Sequence, residues 1–300
     1  MPVAWASEVD KCRFRGKMGE MNPDLSIRLA AAVDHMPAFP RSVQKILALT
    51  RDVACAPRDL VRVIEKDPVV TVQVLRVVNS SYYSLSKQIT SIDHAVVFLG
   101  FNTLKNLALS IAAVGMLPSG HTASFDGSRY LLHSHTTASV ARQLAQRLPL
   151  ADVHDCFIAG LLHDFGKVVV AQFMPQEFRK ALEMSLWQGI ALHQAIVEVI
   201  GVDHAAIGAM LAEKWRFAPG LVDTIRHQHT PEQCDTDMMA CVVAADQISK
   251  RLGVDFCGSP VLRELPDTVV ARLGGKIEDL QASLGNISPL MQETTLFANL

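Results

Sequence analysis

The stretch Gly160-Leu161-Leu162-His163-Asp164-Phe165-Gly166-Lys167 decides how this chain of 300 residues is interpreted. It places an imidazole beside a carboxylate at the end of an apolar segment. Burying such a pair costs free energy unless the two groups share a cation or a hydrogen-bonded partner. Gly166 lets a neighbouring backbone come close, and Lys167 adds a positive charge. The stretch therefore predicts a polar site inside an apolar fold, with further ligands supplied from elsewhere in the chain.

The composition is typical of a helical protein with a sizeable core. Hydrophobic residues make up 49% of the chain and aromatic residues only 6%, and the many Ala, Leu and Val residues favour packed helices over a β-sandwich. The net charge of −2 and the pI near 6.6 argue against a general binder of nucleic acid or of anionic membranes. We therefore expect no DNA and no membrane among its partners.

The six cysteines are scattered and include no C-x-x-C pair. With no secretory signal in the sequence, they are typical of reduced thiols rather than of a disulfide framework or a zinc knuckle. The apolar run at residues 107–117 is interrupted by Ser110, stops at Pro118 and is too short to span a bilayer. The sequence therefore predicts a soluble, cytoplasmic protein.

Helix signals dominate the chain, and no convincing β-alternation appears. The predicted segments are a polar, disordered leader at 1–23, a main domain at 24–250 and a C-terminal helical extension at 251–300. The main domain divides into an N-terminal helical part at 24–117 and a second part at 128–250, because the residues between them are loop-like. The sequence therefore predicts two sets of helices in one domain.

Prolines and capping residues mark the starts of several helices. Pro23 opens a first helix that should end before Pro37, Asp67 caps another, and Ser91 caps a third. A single C-terminal helix is predicted from five apolar residues spaced three or four positions apart: Val269, Leu273, Ile277, Leu280 and Leu284. Its apolar stripe suits either the core or a partner, and the core is favoured.

Helix faces separate inward from outward histidines. On one helix, His133 falls among apolar residues, whereas His135 falls among polar ones. We therefore expect His133 to point into the core and His135 to point to water. In a later helix, His229 follows apolar residues and His227 does not, so only His229 is expected to point inward.

Six polar side chains are thus expected to share one interior: His133, His163, Asp164, His204, His229 and Asp246. A lone inward histidine is more often a satisfied core residue than a ligand. Two carboxylates and four imidazoles together need a cation, because compensating all of them by hydrogen bonds is improbable. Nitrogen and oxygen ligands without a thiolate suit Fe, Mn, Ni, Co or Zn. The set predicts a mononuclear or binuclear metal site in which Asp164 bridges or anchors the ions and Lys167 faces a phosphate.

Several motifs resemble the HDOD domain, the HD-related output domain of bacterial signalling. The constellation of His133, His163-Asp164 and Asp246 is similar to that of the HD superfamily of metal-dependent phosphohydrolases. Further matching segments are Met36-Pro37-Ala38-Phe39-Pro40, Glu65-Lys66-Asp67-Pro68, Leu75-Arg76-Val77-Val78-Asn79-Ser80 and Val202-Asp203-His204-Ala205. The resemblance covers about residues 28–250. It implies an all-α fold in which an N-terminal helical bundle packs on an HD-like helical bundle.

The resemblance implies two functions of different classes. HDOD proteins are regulatory, which favours a bacterial signal-transduction protein that acts through protein partners, with a metal site that is either retained or vestigial and empty. The HD superfamily favours instead a metal-dependent phosphohydrolase or phosphodiesterase on a nucleotide or a cyclic dinucleotide, with Asp164 and Lys167 as catalytic residues. The chain departs from the HD-GYP phosphodiesterases at His227-Gln228-His229, where two adjacent histidines are expected, and at Thr230-Pro231-Glu232, which replaces the Gly-Tyr-Pro loop. We favour the signalling function, with a signalling protein as partner and a nucleotide as the candidate ligand.

Overall fold

The computed structural model describes residues 23–37, 41–49, 56–80, 83, 85, 87–117, 125–254, 261–288, 291–292 and 294–295. Within these ranges the regular structure is helical, with no β-strand, and the predicted all-α class is confirmed. The predicted leader at 1–23 lies outside the described residues except for Pro23, as does most of the predicted loop between the two sets of helices.

The helices fall into two consecutive sets. The first set is α1 (Pro23–His35), α2 (Arg41–Leu49), α3 (Pro57–Glu65), α4 (Pro68–Val78), α5 (Ile92–Leu99) and α6 (Phe101–Val114). The second set is α7 (Gly127–Ala145), α8 (Val153–Leu162), α9 (Phe165–Phe173), α10 (Pro175–Gln188), α11 (Leu192–Ile200), α12 (His204–Lys214), α13 (Pro219–His227) and α14 (Asp237–Arg251). A 3-10 helix, Pro231–Gln233, precedes α14, and α15 (Asp267–Leu273) and α16 (Ile277–Ser283) follow it.

Side-chain caps begin many of these helices, as the sequence predicts. Asp67 accepts a hydrogen bond from the amide of Val70 at 3.2 Å, and Ser91 accepts one from the amide of His94 at 3.2 Å. Asp203 caps α12 in the same way, through the amide of Ala205 at 3.1 Å. Each cap satisfies an amide that has no partner within its own helix.

Two hydrophobic cores share helix α6. The first core lies among α2–α6, which we call the N-terminal lobe, and the second lies among α7–α14, which we call the HD-like lobe. Leu104 and Ile111 of α6 face the first core, whereas Leu109 and Ala112 face the second. Because one helix is buried on both sides, it fixes the two lobes against each other.

Helix α1 packs on the HD-like lobe, although it precedes the N-terminal lobe in the chain. Its buried residues Leu29 and Val33 belong to the second core. The ammonium of Lys214, at the end of α12, donates hydrogen bonds to the carbonyls of Val33 and Asp34 at 2.8 Å and of Met36 at 3.0 Å. These carbonyls form the negative end of α1, so a cation there is favourable.

Two glycines bring the helices of the HD-like lobe into close contact. A Cβ on Gly160 of α8 would lie 2.8 Å from the Cα of Ala138 on α7. A Cβ on Gly166 of α9 would overlap the carbonyl oxygen of His204 at the start of α12. Only glycine allows backbones to approach so closely, and these approaches bring the polar residues of four helices together.

The predicted single C-terminal helix is wrong, because the structure has two helices, α15 and α16, in its place. Gly274 ends α15 with a φ of +76°, a left-handed conformation that terminates a helix. Val269 and Leu280 are each only 3% exposed and belong to the second core. The apolar stripe therefore covers the core, which is the favoured of the two sequence interpretations.

The prediction that His135 points to water is also wrong, since this side chain is 2% exposed. Its ring packs edge-on against Phe157 of α8 at 5.6 Å between centroids. Helix α7 is covered by α8 on one side and by α14 on another, so its middle turns have no solvent face. Burial lowers the pKa of His135 to about 3, which keeps the ring neutral.

One helical segment is long and apolar enough to cross a membrane, judged by length and composition alone. It is Val153–Phe173, with a mean hydropathy of 1.4, and 89% of its most apolar window is buried inside the fold. Two pairs of helices that are bent at a short break also meet this length and composition criterion if each pair is counted as one span, which gives up to three segments among the described residues. The sequence prediction considered only residues 107–117 and overlooked this longer segment. Its apolar character follows from its place at the centre of the second core.

Candidate metal centre

The structure brings the six predicted side chains together between the helices of the HD-like lobe. The positions are His133 on α7, His163 at the end of α8, Asp164 before α9, His204 opening α12, His229 after α13 and Asp246 on α14. Four of the six are no more than 2% exposed: His133, His163, Asp164 and His204. The helix faces deduced from the sequence therefore identified side chains that meet in space.

A first group consists of His133, His163, Asp164 and Asp246. The Nε2 atom of His133 lies 3.5 Å from Asp164 Oδ2 and 3.2 Å from Asp246 Oδ1. The Nε2 atom of His163 lies 3.4 Å from Asp164 Oδ2 and 3.6 Å from Asp246 Oδ1. Neither nitrogen has a hydrogen-bond partner, although both are buried. Two imidazole nitrogens and two carboxylate oxygens thus surround one small volume.

Backbone carbonyls orient the two rings of this group. His133 Nδ1 lies 2.8 Å from the carbonyl oxygen of Val254, and His163 Nδ1 lies 2.7 Å from that of Gly160. Because a carbonyl only accepts, each Nδ1 donates, and the lone pair of each neutral ring is on Nε2. Histidines that bind metals are commonly held this way through their second nitrogen. The group therefore fits a divalent cation.

A second group consists of Asp203, His204 and His229. His204 Nε2 lies 3.0 Å from Asp164 Oδ1 and 3.3 Å from His229 Nε2. On the other side of the ring, His204 Nδ1 is 3.0 Å from Asp203 Oδ1. Each of the three residues offers one ligand atom within 4.8 Å of the others, as do His133, His163 and Asp164 in the first group.

Asp164 connects the two groups. Its Oδ2 faces the first pair of histidines and its Oδ1 faces His204. A carboxylate that presents one oxygen to each of two ligand groups can span two cations. The geometry therefore accommodates a binuclear centre.

The electrostatics show that this place requires positive charge. Burial by itself lowers the pKa of His163, but the carboxylates of Asp164 and Asp246 outweigh burial and raise this pKa from 6.5 to about 9. Burial raises the pKa of Asp246, but Lys250, His133 and His163 hold it well below its usual range. In the absence of a metal, a proton on His163 supplies the charge that the carboxylates need. A metal ion competes with that proton.

Two lysines contact the carboxylates. Lys167 Nζ lies 2.5 Å from Asp164 Oδ2, and Lys250 Nζ lies 2.7 Å from Asp246 Oδ2. Both line a small pocket that opens onto His204 and both aspartates. Lys167 is thus placed on Asp164 and also faces the pocket, where the sequence interpretation expects a phosphate.

Gln228, in the position of an expected histidine, does not face the ligand groups. Its Nε2 donates to the carbonyl oxygens of His163 at 2.6 Å and of Ile225 at 3.2 Å. His227 is not part of either ligand group among the described residues. Gln228 therefore has a structural function beneath His163.

Sequence reasoning missed four residues of the site: Asp203, His193, Lys250 and Arg263. Asp203 is also the N-cap of α12. Because capping already explains an aspartate at this position, nothing in the sequence indicates its contact with His204. Lys250 follows Asp246 by four residues, a spacing that signals a pair on one helix face. His193 stacks on His229 with 4.0 Å between ring centroids and an interplanar angle of 16°. No sequence signal indicates His193 or Arg263.

The chain resembles known proteins in sequence and in fold. An uncharacterised protein of Treponema pallidum (strain Nichols) is 29% identical over 208 residues, which are 68% of this chain and 40% of that protein. The chain spans less than half the length of the curated relatives it matches.

Two solved structures have the same fold. A candidate phosphohydrolase from Shewanella amazonensis SB2B superposes with a TM-score of 0.71 at 24% identity, covering 90% of this chain and 98% of that one. A candidate signal-transduction protein from Marinobacter aquaeolei VT8 superposes with a TM-score of 0.75 at 24% identity, covering 92% and 65%. Residues 36–231 match the sequence profile of the HDOD domain. Because that match covers more than half of its length, the chain belongs to the HDOD domain family.

Proposed function

We propose that this protein is a bacterial signal-transduction protein that retains a divalent metal centre and acts through a protein partner. The observation that carries the proposal is the pair of buried Nε2 atoms of His133 and His163, each of which lies 3.2–3.6 Å from two carboxylate oxygens. Two imidazoles and two carboxylates buried this close together are costly unless they share a cation. Membership in the HDOD family supports the signalling part of the proposal.

The two ligand groups would hold the metal ions. His133, His163 and Asp246 would bind one ion, and His204 and His229 would bind a second. Asp164 would bridge the two, and Asp203 would orient His204. Nitrogen and oxygen donors of this kind suit Fe, Mn, Ni, Co or Zn.

The fold offers a connection from this centre to the rest of the molecule. Helix α12 begins with His204 at the centre and ends with Lys214 on the carbonyls of α1. Beside that contact, Trp215 Nε1 donates to the carbonyl oxygen of Pro37 at 3.2 Å. Pro37 lies in the segment that connects α1 to α2, the first helix of the N-terminal lobe. A change at the centre would therefore reach the boundary between the lobes through one short helix, which suits a protein that signals by helix packing.

Elemental analysis of the purified protein tests the metal centre. We expect a near-stoichiometric amount of a transition metal in the wild type and its loss from His163→Ala/Asp164→Ala. His227→Ala, a neighbouring histidine outside both groups, should keep the metal. A wild type free of metal after growth and purification with added Fe, Mn, Ni, Co and Zn would refute the centre.

A second candidate function is metal-dependent phosphohydrolysis of a nucleotide or a cyclic dinucleotide. The observation that favours it is the pocket that opens onto Asp164 and Asp246 and is lined by Lys167. Divalent ions bound there would supply Lewis-acid activation of water and of a phosphoryl oxygen. Lys167 would place a positive charge against the charge that develops on the phosphoryl group. Turnover of a nucleotide by the metal-loaded protein, abolished in His163→Ala, would establish this function in place of a purely regulatory one.

A further inference from the structure

The wall of the pocket over the candidate centre carries a cation that the ligand groups do not use. Arg263 lines this pocket together with Lys167 and Lys250. The two lysines each pair with a carboxylate of the centre. Arg263 forms no ion pair with any residue in the described part of the chain, and it is half-buried. The carboxylates of Asp246 and Asp203 act on the guanidinium only from beyond ion-pair distance, so an anion that joins it in the pocket would stabilise this half-buried cation.

Arg263 is held in place from both ends. Its backbone amide donates to Gln247 Oε1 at 2.8 Å, and the amide group of Gln247 donates to Asp246 Oδ2 at 2.9 Å. Its guanidinium lies 2.7 Å from Nε2 of His193. Because a guanidinium only donates, His193 accepts. The side chain is therefore positioned before any ligand arrives.

The charge of the pocket favours an anion. Lys167 and Lys250 lie on the carboxylates of Asp164 and Asp246, and Arg263 adds a third cation to the same pocket. A divalent ion bound beside these side chains would add further positive charge, which an anion in the pocket can neutralise. A guanidinium matches the tetrahedral oxygens of a phosphoryl group through parallel hydrogen bonds.

We propose that Arg263 and Lys250 form an anion-binding subsite beside the metal centre and that its ligand is a phosphoryl group. The proposal rests on the proposed metal centre and names the class of ligand that the pocket takes. Arg263 lies beyond residues 36–231, the part of the chain that matches the HDOD profile.

Calorimetric titration of the metal-loaded protein with inorganic phosphate, at constant ionic strength, tests the subsite. We expect Arg263→Gln to bind phosphate about ten- to a hundredfold more weakly than the wild type, the loss expected for charge-assisted hydrogen bonds. Arg263→Lys, which keeps the charge without the planar fork, should lie between the two. Arg179→Gln removes the same charge from an exposed residue of α10 and should bind like the wild type.

Further ligands identify the source of the phosphoryl group. Tighter binding of AMP than of phosphate, with none of adenosine, would indicate a nucleotide, and equal binding of AMP and phosphate would indicate the free ion. Acetate that binds as tightly as phosphate would overturn the assignment to a phosphoryl group.

Metal content measured on the same samples separates this proposal from the previous one. A metal-loaded wild type that does not bind phosphate, or an Arg263→Gln variant that binds it equally well, overturns the subsite and leaves the metal centre standing. Loss of metal from Arg263→Gln overturns it too, because the residue would then support the centre rather than an anion. A wild type without metal refutes the centre, and the subsite is then judged by whether phosphate binding to that protein needs Arg263.

Discussion

Gln228 shows how one residue serves the candidate centre without being a ligand. It replaces an expected histidine, yet its side chain donates to the carbonyl of His163. His163 is in turn oriented through Gly160. The amide of Gln228 therefore supports the junction of α8 and α9, where the predicted ligands His163 and Asp164 lie side by side.

We predict that Gln228→Ala lowers the free energy of unfolding by about 1–3 kcal/mol, because a buried carbonyl loses its donor. Urea denaturation followed by circular dichroism measures the change. Gln188→Ala, at an exposed position at the end of α10, should alter stability by less than about 0.5 kcal/mol. Equal stability of the two variants would show that the hydrogen bond to His163 contributes nothing.

At the scale of elements, the contact between α9 and α12 depends on the absence of side chains. Gly166 of α9 meets the backbone of His204 and Gly208 on α12, and a Cβ on Gly208 would lie 3.2 Å from the amide nitrogen of Gly166. The two helices carry Asp164 and His204 at their starts, 3.0 Å apart. Close backbone packing thus sets the distance between the two ligand groups.

Gly166→Ala is expected to destabilise the protein by about 3 kcal/mol or more, because backbone atoms rather than flexible side chains would have to move. It should also lower the metal content, since α12 would carry His204 away from Asp164. Thermal denaturation and elemental analysis measure the two effects.

Gly220→Ala is the matched control, because nothing lies within 4 Å of a Cβ at that helical position. It should leave stability unchanged or raise it by up to about 1 kcal/mol. If Gly166→Ala melted at the same temperature as Gly220→Ala, the close approach of α9 and α12 would not matter to the fold.

At the scale of the whole molecule, three contacts join the parts of the chain that the sequence separates. Helix α6 is buried in both cores, and α1 packs on the HD-like lobe. Lys214 and Trp215 fasten the end of α1 to the end of α12. Trp215 also packs edge-on against Phe165, at 5.3 Å between ring centroids. Phe165 directly follows Asp164, so this contact reaches the candidate centre.

Lys214→Met is expected to lower the free energy of unfolding by about 1.5–3 kcal/mol, because three carbonyls lose a charged donor. Hydrogen exchange should become faster at the last turn of α1. Lys180→Met, at an exposed position on α10, should change neither quantity. Unchanged exchange at residues 33–36 in Lys214→Met would show that α1 is held by its apolar contacts alone.

The sequence by itself determined the all-helical class, several helix starts and six residues of the candidate centre. Asp67 and Ser91 cap helices because capping depends on residues that are neighbours in the chain. His133, His163 and Asp246 could be assigned to one interior because a polar residue on an apolar helix face can only be buried beside other polar groups. Such arguments use the spacing of residues within a single helix, which the sequence shows directly.

Only the tertiary structure decided how those faces are covered and what else reaches the centre. His135 is buried because α8 and other segments enclose α7, and a helix without a solvent face has no outward side to predict. Asp203, His193 and Arg263 enter the site from three different segments. Their positions depend on backbone approaches such as that of Gly166 to His204. These approaches depend on how two helices pack together and cannot be deduced from the residue spacing within either helix.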